Sequence, residues 1–332
     1  MTTSHTEHHT GGGPVATSQT ISRGTVMRSA AAFRAKITSL GLLAAWPSTA
    51  LAQNADGSVA FDPRFGVPVL PNLAYNEATA SVIMIVLLLG ALSLLAFAVR
   101  EAIRFKEILP VTIVLGSAAL DFPEVYVDVL GGIYWPWTPD HVAFTIMGRP
   151  MTWFTVAVWF ASGAIGCLGS YALFRRNVST KVLWTALGVN ALFNVVLEEV
   201  LLNIPGLYTY YGNQPLVLLT KFPFWWAGVN GGGLFAAAAL LYRYRAHLGG
   251  WRALAPVAVI PLVYLAMFGF TAMPATIVVN GRFSWLATQI GGIATLGLCL
   301  VGAALVMHLI LQRNPFDMNS RSPTLPETDG PR

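Results

Sequence analysis

Seven apolar runs fix what this chain can become. They cover about residues 79–99, 108–130, 152–174, 182–203, 222–242, 254–275 and 285–311, each close to the ~20 residues an α-helix needs to cross a bilayer. Hydrophobic residues make up 55% of the chain and charged residues 11%, against about 25% charged in soluble domains. The expected fold is therefore all-α: a polytopic membrane helical bundle of about seven transmembrane helices over 79–311, multi-pass in the plasma (inner) membrane. Loop charges set its orientation. Arg100, Arg104 and Lys106 follow the first run, Arg175, Arg176 and Lys181 the third, and Arg243, Arg245 and Arg252 the fifth. The alternate loops hold only Arg149, Lys221 and Arg282. Lys and Arg concentrate on the cytoplasmic side, which places the N-terminus outside and the C-terminus in the cytoplasm. The net charge of +5 is explained by these loops and implies no nucleic-acid partner.

The ends read differently. Residues 1–26 are polar, and their His5, His8 and His9 read as part of an unstructured tail rather than as metal ligands. Met27 is a candidate start codon, which would make the preceding segment a mis-annotated start. From there, Arg28, Arg34 and Lys36, an apolar stretch Ile37 to Trp46, and Ala50-Leu51-Ala52 have the layout of a secretory signal peptide over 27–52. Cleavage would deliver the N-terminus outside, in agreement with the loop charges. Residues 53–78 form a polar extracytoplasmic lead-in. Residues 312–332, rich in Pro, Ser, Thr and Asp, are expected to be a disordered cytoplasmic tail. Cys167 and Cys299 fall inside apolar runs and read as small core residues.

Ionisable groups inside hydrocarbon-length segments are costly and point to function. The second run carries Asp121, Glu124 and Asp128 at i, i+3, i+7, within roughly 60° of one another on a helix; Pro123 is expected to kink that helix. The fourth run carries Asn190, Asn194 and Glu198 on one face, with Glu199 and Asn203 about 100° round from them. Asn230 lies early in the fifth run. With the orientation above, these groups converge on the extracytoplasmic half, which implies a polar cavity opening outward. Trp135, Trp225, Trp226, Tyr210 and Tyr211 gather at the same end, either as an interfacial belt or as a pocket lining. Gly231, Gly232 and Gly233 would allow close helix approach.

The chain has no G-x-S-x-G, H-E-x-x-H or P-loop motif and no mid-span lysine in the last run for a retinal Schiff base. Several carboxyl groups in a low-dielectric site cannot all carry charge, so one can serve as acid and its neighbour as base. The expected catalytic set is Glu198, Glu199, Asp121 and Glu124, with Glu198 or Glu199 as proton donor and Asp121 or Glu124 as its partner. Asn230, Asn194, Tyr210, Tyr211, Trp135, Trp225, Trp226 and Asp128 are the expected substrate-binding set. No cofactor and no metal is required, although a carboxylate-bound divalent ion is a weaker option. The expected partners are a lipophilic small molecule and membrane lipid. Proton-initiated cyclisation, dehydration or hydration fits this set; so do a proton-coupled transporter and a small-ligand receptor. Against a transporter, the inner halves are nearly free of ionisable groups and no internal repeat is visible.

The run GLYTYYGNQPL followed by FPFWWAGVN, within residues 206–230, together with the upstream D-F-P-E at 121–124 and WPW at 135–137, resembles the spirocyclase family typified by the avermectin-pathway membrane cyclase. The resemblance extends over roughly 80–310. It implies an integral-membrane, spiroketal-forming cyclase, some relatives of which also dehydrate, acting on a polyketide- or isoprenoid-like substrate. It carries no position-by-position assignment of catalytic residues, and the signal-like N-terminus has no counterpart in it. The Glu-then-Gly-x-Tyr-x-Tyr layout is also similar to membrane hydratases of carotenoid synthesis, and acids within a helical bundle are likewise a feature of small membrane terpene cyclases.

Overall fold

The computed structural model describes residues 59–64 and 66–323. The expectations for the tail 1–26 and the signal-like segment 27–52 concern residues outside that range, as do those for 324–332.

The described chain is mostly helical. Its α-helices are α1 (Glu77–Phe105), α2 (Leu109–Ser117), α3 (Asp121–Gly131), α4 (Trp153–Arg175), α5 (Thr180–Leu202), α6 (Trp225–Tyr244), α7 (Pro256–Thr271), α8 (Met273–Val279) and α9 (Trp285–Leu305). Local chemistry sets several boundaries. Asn76 accepts the Thr79 N–H ahead of α1, Thr152 that of Thr155 ahead of α4, and Ser284 that of Ala287 ahead of α9, each satisfying an orphan donor of the first turn. Helix α3 ends at Gly132, whose φ of 70° is the left-handed cap that glycine adopts without strain. A Cβ there would collide with the Tyr211 carbonyl.

Four helices are long and apolar enough to cross a membrane: α1, α4, α5 and the last helix with its π-helical extension to Ile310. The pair α7–α8, bent by 70°, makes a fifth if it is one broken span. Helix α1 buries only Ala80, Ala91, Ala98 and Glu101 and exposes Val82, Val86, Leu89 and Leu92. A soluble protein rarely presents so long an apolar face.

The second apolar run is not one kinked helix. It is interrupted by a 3-10 turn at Ala118–Leu120, and Pro123 sits in the first turn of α3, where its missing N–H costs little. The expected kink at Pro123 is therefore replaced by a break just before Asp121.

Helix α6 is the centre of the bundle and packs against α4, α5, α7 and α9. Its Gly and Ala residues make this possible. A Cβ on Gly228 would meet Cys299 of α9 at 3.2 Å, and one on Gly233 would meet Tyr264 of α7 at 2.6 Å. Such small residues let helices approach closely in a bilayer, where packing rather than hydrophobicity drives association.

Two short antiparallel ladders accompany the helices, which an all-α reading does not include. Strand β1 (Ile133–Tyr134) pairs with β4 (Thr209–Tyr210), with Ile133 opposite Tyr210 and Tyr134 opposite Thr209. Strands β2 (Val142–Ile146) and β3 (Arg149–Thr152) form a hairpin with an irregularity between Val142 and Phe144. The β1–β4 ladder ties the segment after α3 to the segment after α5, at one end of the bundle. The polar lead-in reaches the same place: Asn76 donates to the Pro205 carbonyl at 3.2 Å.

At the opposite end, the segment expected to be disordered from residue 312 is held in place over 312–323. Thr180 and Lys181 backbone N–H groups donate to the carbonyls of Ser320 and Met318, both at 2.9 Å. The Trp184 indole donates to the Pro315 carbonyl at 2.9 Å. Arg313 is buried and donates to the Val178 carbonyl, Asn177 Oδ1 and Ser322 Oγ. A compositional reading for disorder misses these bonds because most of them run to the loop before α5 and to its first turns, more than a hundred residues away.

Candidate functional site

A cavity of about 80 Å3 lies between α4, α5 and α6 beneath the β1–β4 ladder, and the unfilled space reaches about 830 Å3 once its open mouth is included. The enclosed volume has room for a handful of waters, and the rest of the space is open to the exterior. Its wall is mainly apolar. Phe193 of α5 and Ile165 of α4 line it and are also 47% and 40% exposed, so the mouth opens sideways between these helices, on the face that lipid would cover.

Of the residues singled out in the sequence, Glu124, Glu198, Asn190, Asn194, Asn230, Tyr210, Trp135 and Trp226 line this cavity. They come from α3, α5, α6 and both strands' flanks. Asp121, Asp128, Glu199, Tyr211 and Trp225 do not line it.

Glu198 is the best-partnered acid in the cavity. Its Oε2 accepts the Tyr208 hydroxyl at 2.6 Å and the Tyr210 hydroxyl at 3.3 Å. Burial, reinforced by the Glu198 carboxylate, pushes both phenols well above their ordinary pKa, so both remain protonated donors. The ladder supplies the geometry: it fixes Tyr210 opposite Ile133, and Tyr208 stacks on Trp135 at 4.5 Å.

Glu124 stands in contrast. It is 3% exposed, and its Oε2 has no hydrogen-bond partner. Trp159 of α4 lies beside it, and its buried indole N–H likewise has no hydrogen-bond partner. Behind Glu124 on the same helix face, Asp128 accepts the Trp135 indole N–H at 3.0 Å. Asp121, 2% exposed, has no hydrogen bond to either carboxyl oxygen; the nearby Thr155 hydroxyl is given instead to the Thr152 carbonyl at 2.7 Å. The three acids thus share one face, as their spacing predicts, but only the middle one reaches the cavity.

Glu199 points elsewhere. Its carboxylate accepts the backbone N–H groups of Thr220, Lys221 and Phe222 at 3.1, 3.3 and 3.2 Å, and also the Thr220 hydroxyl. Asn203 adds bonds to the Glu199 carbonyl and to Thr220. Glu199 therefore anchors the loop that leads into α6. The roughly 100° between adjacent helical residues sends the two neighbouring glutamates to different tasks.

Trp225 and Tyr211 belong to the layer behind the cavity. The Trp225 indole donates to Gln214 Oε1 at 3.2 Å, while Gln214 Nε2 donates to the carbonyls of Gly131 and Tyr211 at 2.7 and 2.8 Å. Arg149 donates to the Tyr211 hydroxyl at 2.6 Å and to the Ile133 carbonyl at 3.1 Å. Burial raises the Tyr211 pKa, with Arg149 acting in the opposite sense.

The sequence reading missed Trp159, Gln214 and Tyr264. Trp159 sits in a uniformly apolar helix with no local sign of its role. Tyr264 did carry a signal, since a tyrosine inside an apolar helix needs a partner for its hydroxyl. Its hydroxyl donates to Asn230 Oδ1 at 2.7 Å, and Asn230 Nδ2 donates to Asn194 Oδ1 at 3.3 Å. Among the described residues no group of three or more His, Cys, Asp or Glu is placed to hold a metal ion.

Compared with protein-family models, curated proteins and solved structures, the chain matches none.

Proposed function

We propose that the protein is an integral-membrane acid/base enzyme, a cyclase with dehydration as an associated activity, acting on a lipophilic polyketide- or isoprenoid-like substrate. The observation that carries this reading is a chemical difference within one cavity: Glu124 lines it with an unpaired carboxyl oxygen and no cation, while Glu198 lines it as the acceptor of two tyrosine hydroxyls. A buried carboxyl without a cation avoids the cost of a buried charge as the neutral acid. Hydrogen bonds to a carboxylate favour its ionised form, which leaves it free to accept a proton. Glu124 then takes the acid role and Glu198 the base role, the reverse of the order that the sequence favours.

In this mechanism Glu124 delivers a proton to a substrate carbonyl or alkene. A hydroxyl of the same substrate attacks the activated carbon, forming a C–O bond as the π bond breaks, and Glu198 takes the hydroxyl proton. The product is an isomer of the substrate. On the carbonyl route the new hydroxyl leaves as water once the proton held by Glu198 has returned to Glu124 and been delivered to it, and the resulting cation is closed by a second substrate hydroxyl or by loss of a neighbouring C–H proton, Glu198 again taking that proton. The sideways mouth between α4 and α5 suits a substrate dissolved in the bilayer. The resemblance to spirocyclases supports the same reaction class.

The membrane arrangement belongs to the same proposal. The α2–α3 pair and α6 bring the spans to seven. Loop charge places the cavity end of the bundle outside the cytoplasm.

The test compares lipophilic metabolites by mass spectrometry in native cells, a deletion strain, and strains carrying Glu124→Gln or Glu198→Gln. A precursor accumulating in all three altered strains, related to the lost product by isomerisation or by one water, is the expected result. An unchanged profile refutes the enzyme and leaves ligand binding without turnover, as in a receptor or transporter, as the reading to pursue.

A further inference from the structure

Tyr264 does not line the cavity, yet it heads a chain of hydrogen bonds whose last member, Asn194, stands one helical turn from the candidate base. We infer that Tyr264 is a positioning residue for Glu198, acting from α7 through Asn230 of α6 and Asn194 of α5. The inference rests on the acid/base reading above and deepens it.

The direction of the chain matters. The Tyr264 hydroxyl donates to Asn230 Oδ1 at 2.7 Å, which leaves Asn230 Nδ2 to donate to Asn194 Oδ1 at 3.3 Å. The Asn194 oxygen is thereby occupied, and its amide N–H group faces Glu198 one turn along the same helix. Each amide has one acceptor end and one donor end, so fixing the first fixes the second. The Asn194 amide dipole then turns its donor end toward Glu198, adding to the hydrogen bonds from Tyr208 and Tyr210. Without the Tyr264 hydroxyl both amides are free to turn over. Asn194 would then offer its oxygen to Glu198, and a third donor would become a repelling dipole.

The surrounding packing serves this arrangement. Tyr264 is 1% exposed and meets Trp159 edge-on at 5.1 Å. Gly233 is what admits it, since a Cβ at that position would lie 2.6 Å from the tyrosine ring. A Cβ on Gly231 would likewise meet the Asn190 amide at 3.0 Å. The glycine run in α6 thus does more than allow close helix approach: two of its members leave room for polar side chains of α5 and α7.

The test reads Glu198 itself and needs no substrate. Full-length protein is reconstituted in lipid nanodiscs, and the infrared difference between each background and the same background carrying Glu198→Gln isolates the Glu198 carboxyl bands. In Tyr264→Phe, which keeps the ring and removes one hydroxyl, the Glu198 band is expected to shift, although no hydrogen bond joins the two side chains. Asn230→Leu is expected to give the same shift, and the double variant no more than either alone, because links in series are not additive. Tyr171→Phe removes another buried hydroxyl, bonded to Glu107 at 2.6 Å, and is expected to leave the band unmoved. An unmoved band in both Tyr264→Phe and Asn230→Leu overturns the inference. So does an equal shift in Tyr171→Phe, which would mean general loosening. Because the spectra need no turnover, their outcome is separate from that of the metabolite comparison. Once a substrate is in hand, Tyr264→Phe should lower kcat roughly tenfold, the worth of one hydrogen bond to a charged group, with KM unchanged.

Discussion

Replacing Glu199 separates anchoring from chemistry at two adjacent carboxylates. In Glu199→Ala the backbone N–H groups of Thr220, Lys221 and Phe222 and the Thr220 hydroxyl lose their shared acceptor. A net hydrogen bond is worth about 0.5–1.5 kcal/mol, and somewhat more when one partner is charged, so four of them bound the loss at roughly 2–6 kcal/mol. Thr220 is exposed and Lys221 half-buried, whereas Phe222 is fully buried. Water can replace the acceptor for the first two but not for the third, which brings the expected loss to about 2–3 kcal/mol. At roughly 2–4 °C per kcal/mol for a chain of this size, the unfolding midpoint should fall by about 5–10 °C. The assay is a thermal scan of purified protein in one detergent at one scan rate, paired with turnover per folded molecule. Turnover of the folded fraction should be close to normal, while Glu198→Gln should lose it by about a hundredfold or more with little change in midpoint. The reasoning fails if Glu199→Ala leaves the midpoint within about 1 °C. It also fails if the folded fraction loses turnover as severely as Glu198→Gln.

Three further substitutions probe the frame. Gly131→Ala drives a Cβ into the Trp226 ring, and overpacking of this kind should cost about 1–3 kcal/mol, read as a lowered midpoint together with altered tryptophan fluorescence. Gly233→Ala should displace Tyr264 and mimic the infrared signature of Tyr264→Phe while costing more stability, because a ring and not only a hydroxyl must move. Arg313→Met removes bonds to Val178, Asn177 and Ser322, and should expose the 312–323 segment to protease at a concentration that leaves the native protein intact, with the cavity tryptophans unaffected.

Much of the frame was legible because burial in a bilayer writes itself into composition. The run expected at 152–174 is the helix Trp153–Arg175, and the run at 182–203 is Thr180–Leu202. Helical spacing also placed Asn194 and Glu198 on one face and Glu124 with its acidic neighbours on another. The break before Asp121 was less legible: Pro123 drew attention to itself, yet the chain tightens into a 3-10 turn just ahead of it, at Ala118–Leu120. Nothing in the tail composition foretold that Arg313 would seek Val178, since the bonds that hold the segment lie far away in sequence.

Length, apolarity and helical period therefore determined that this chain builds a membrane bundle with carboxyl groups toward one end. Only the tertiary structure decided which of those groups share a space. Helical period states which residues of one helix face the same way, but not which way that face turns or what another helix sets against it. The β1–β4 ladder brings Tyr208 and Tyr210 to Glu198, the loop before α6 takes Glu199 for itself, and Gly233 admits Tyr264 from α7. Each of these contacts joins segments that only folding brings together. In a low-dielectric interior the identity of such a neighbour, rather than that of the acid, decides what a carboxyl group can do.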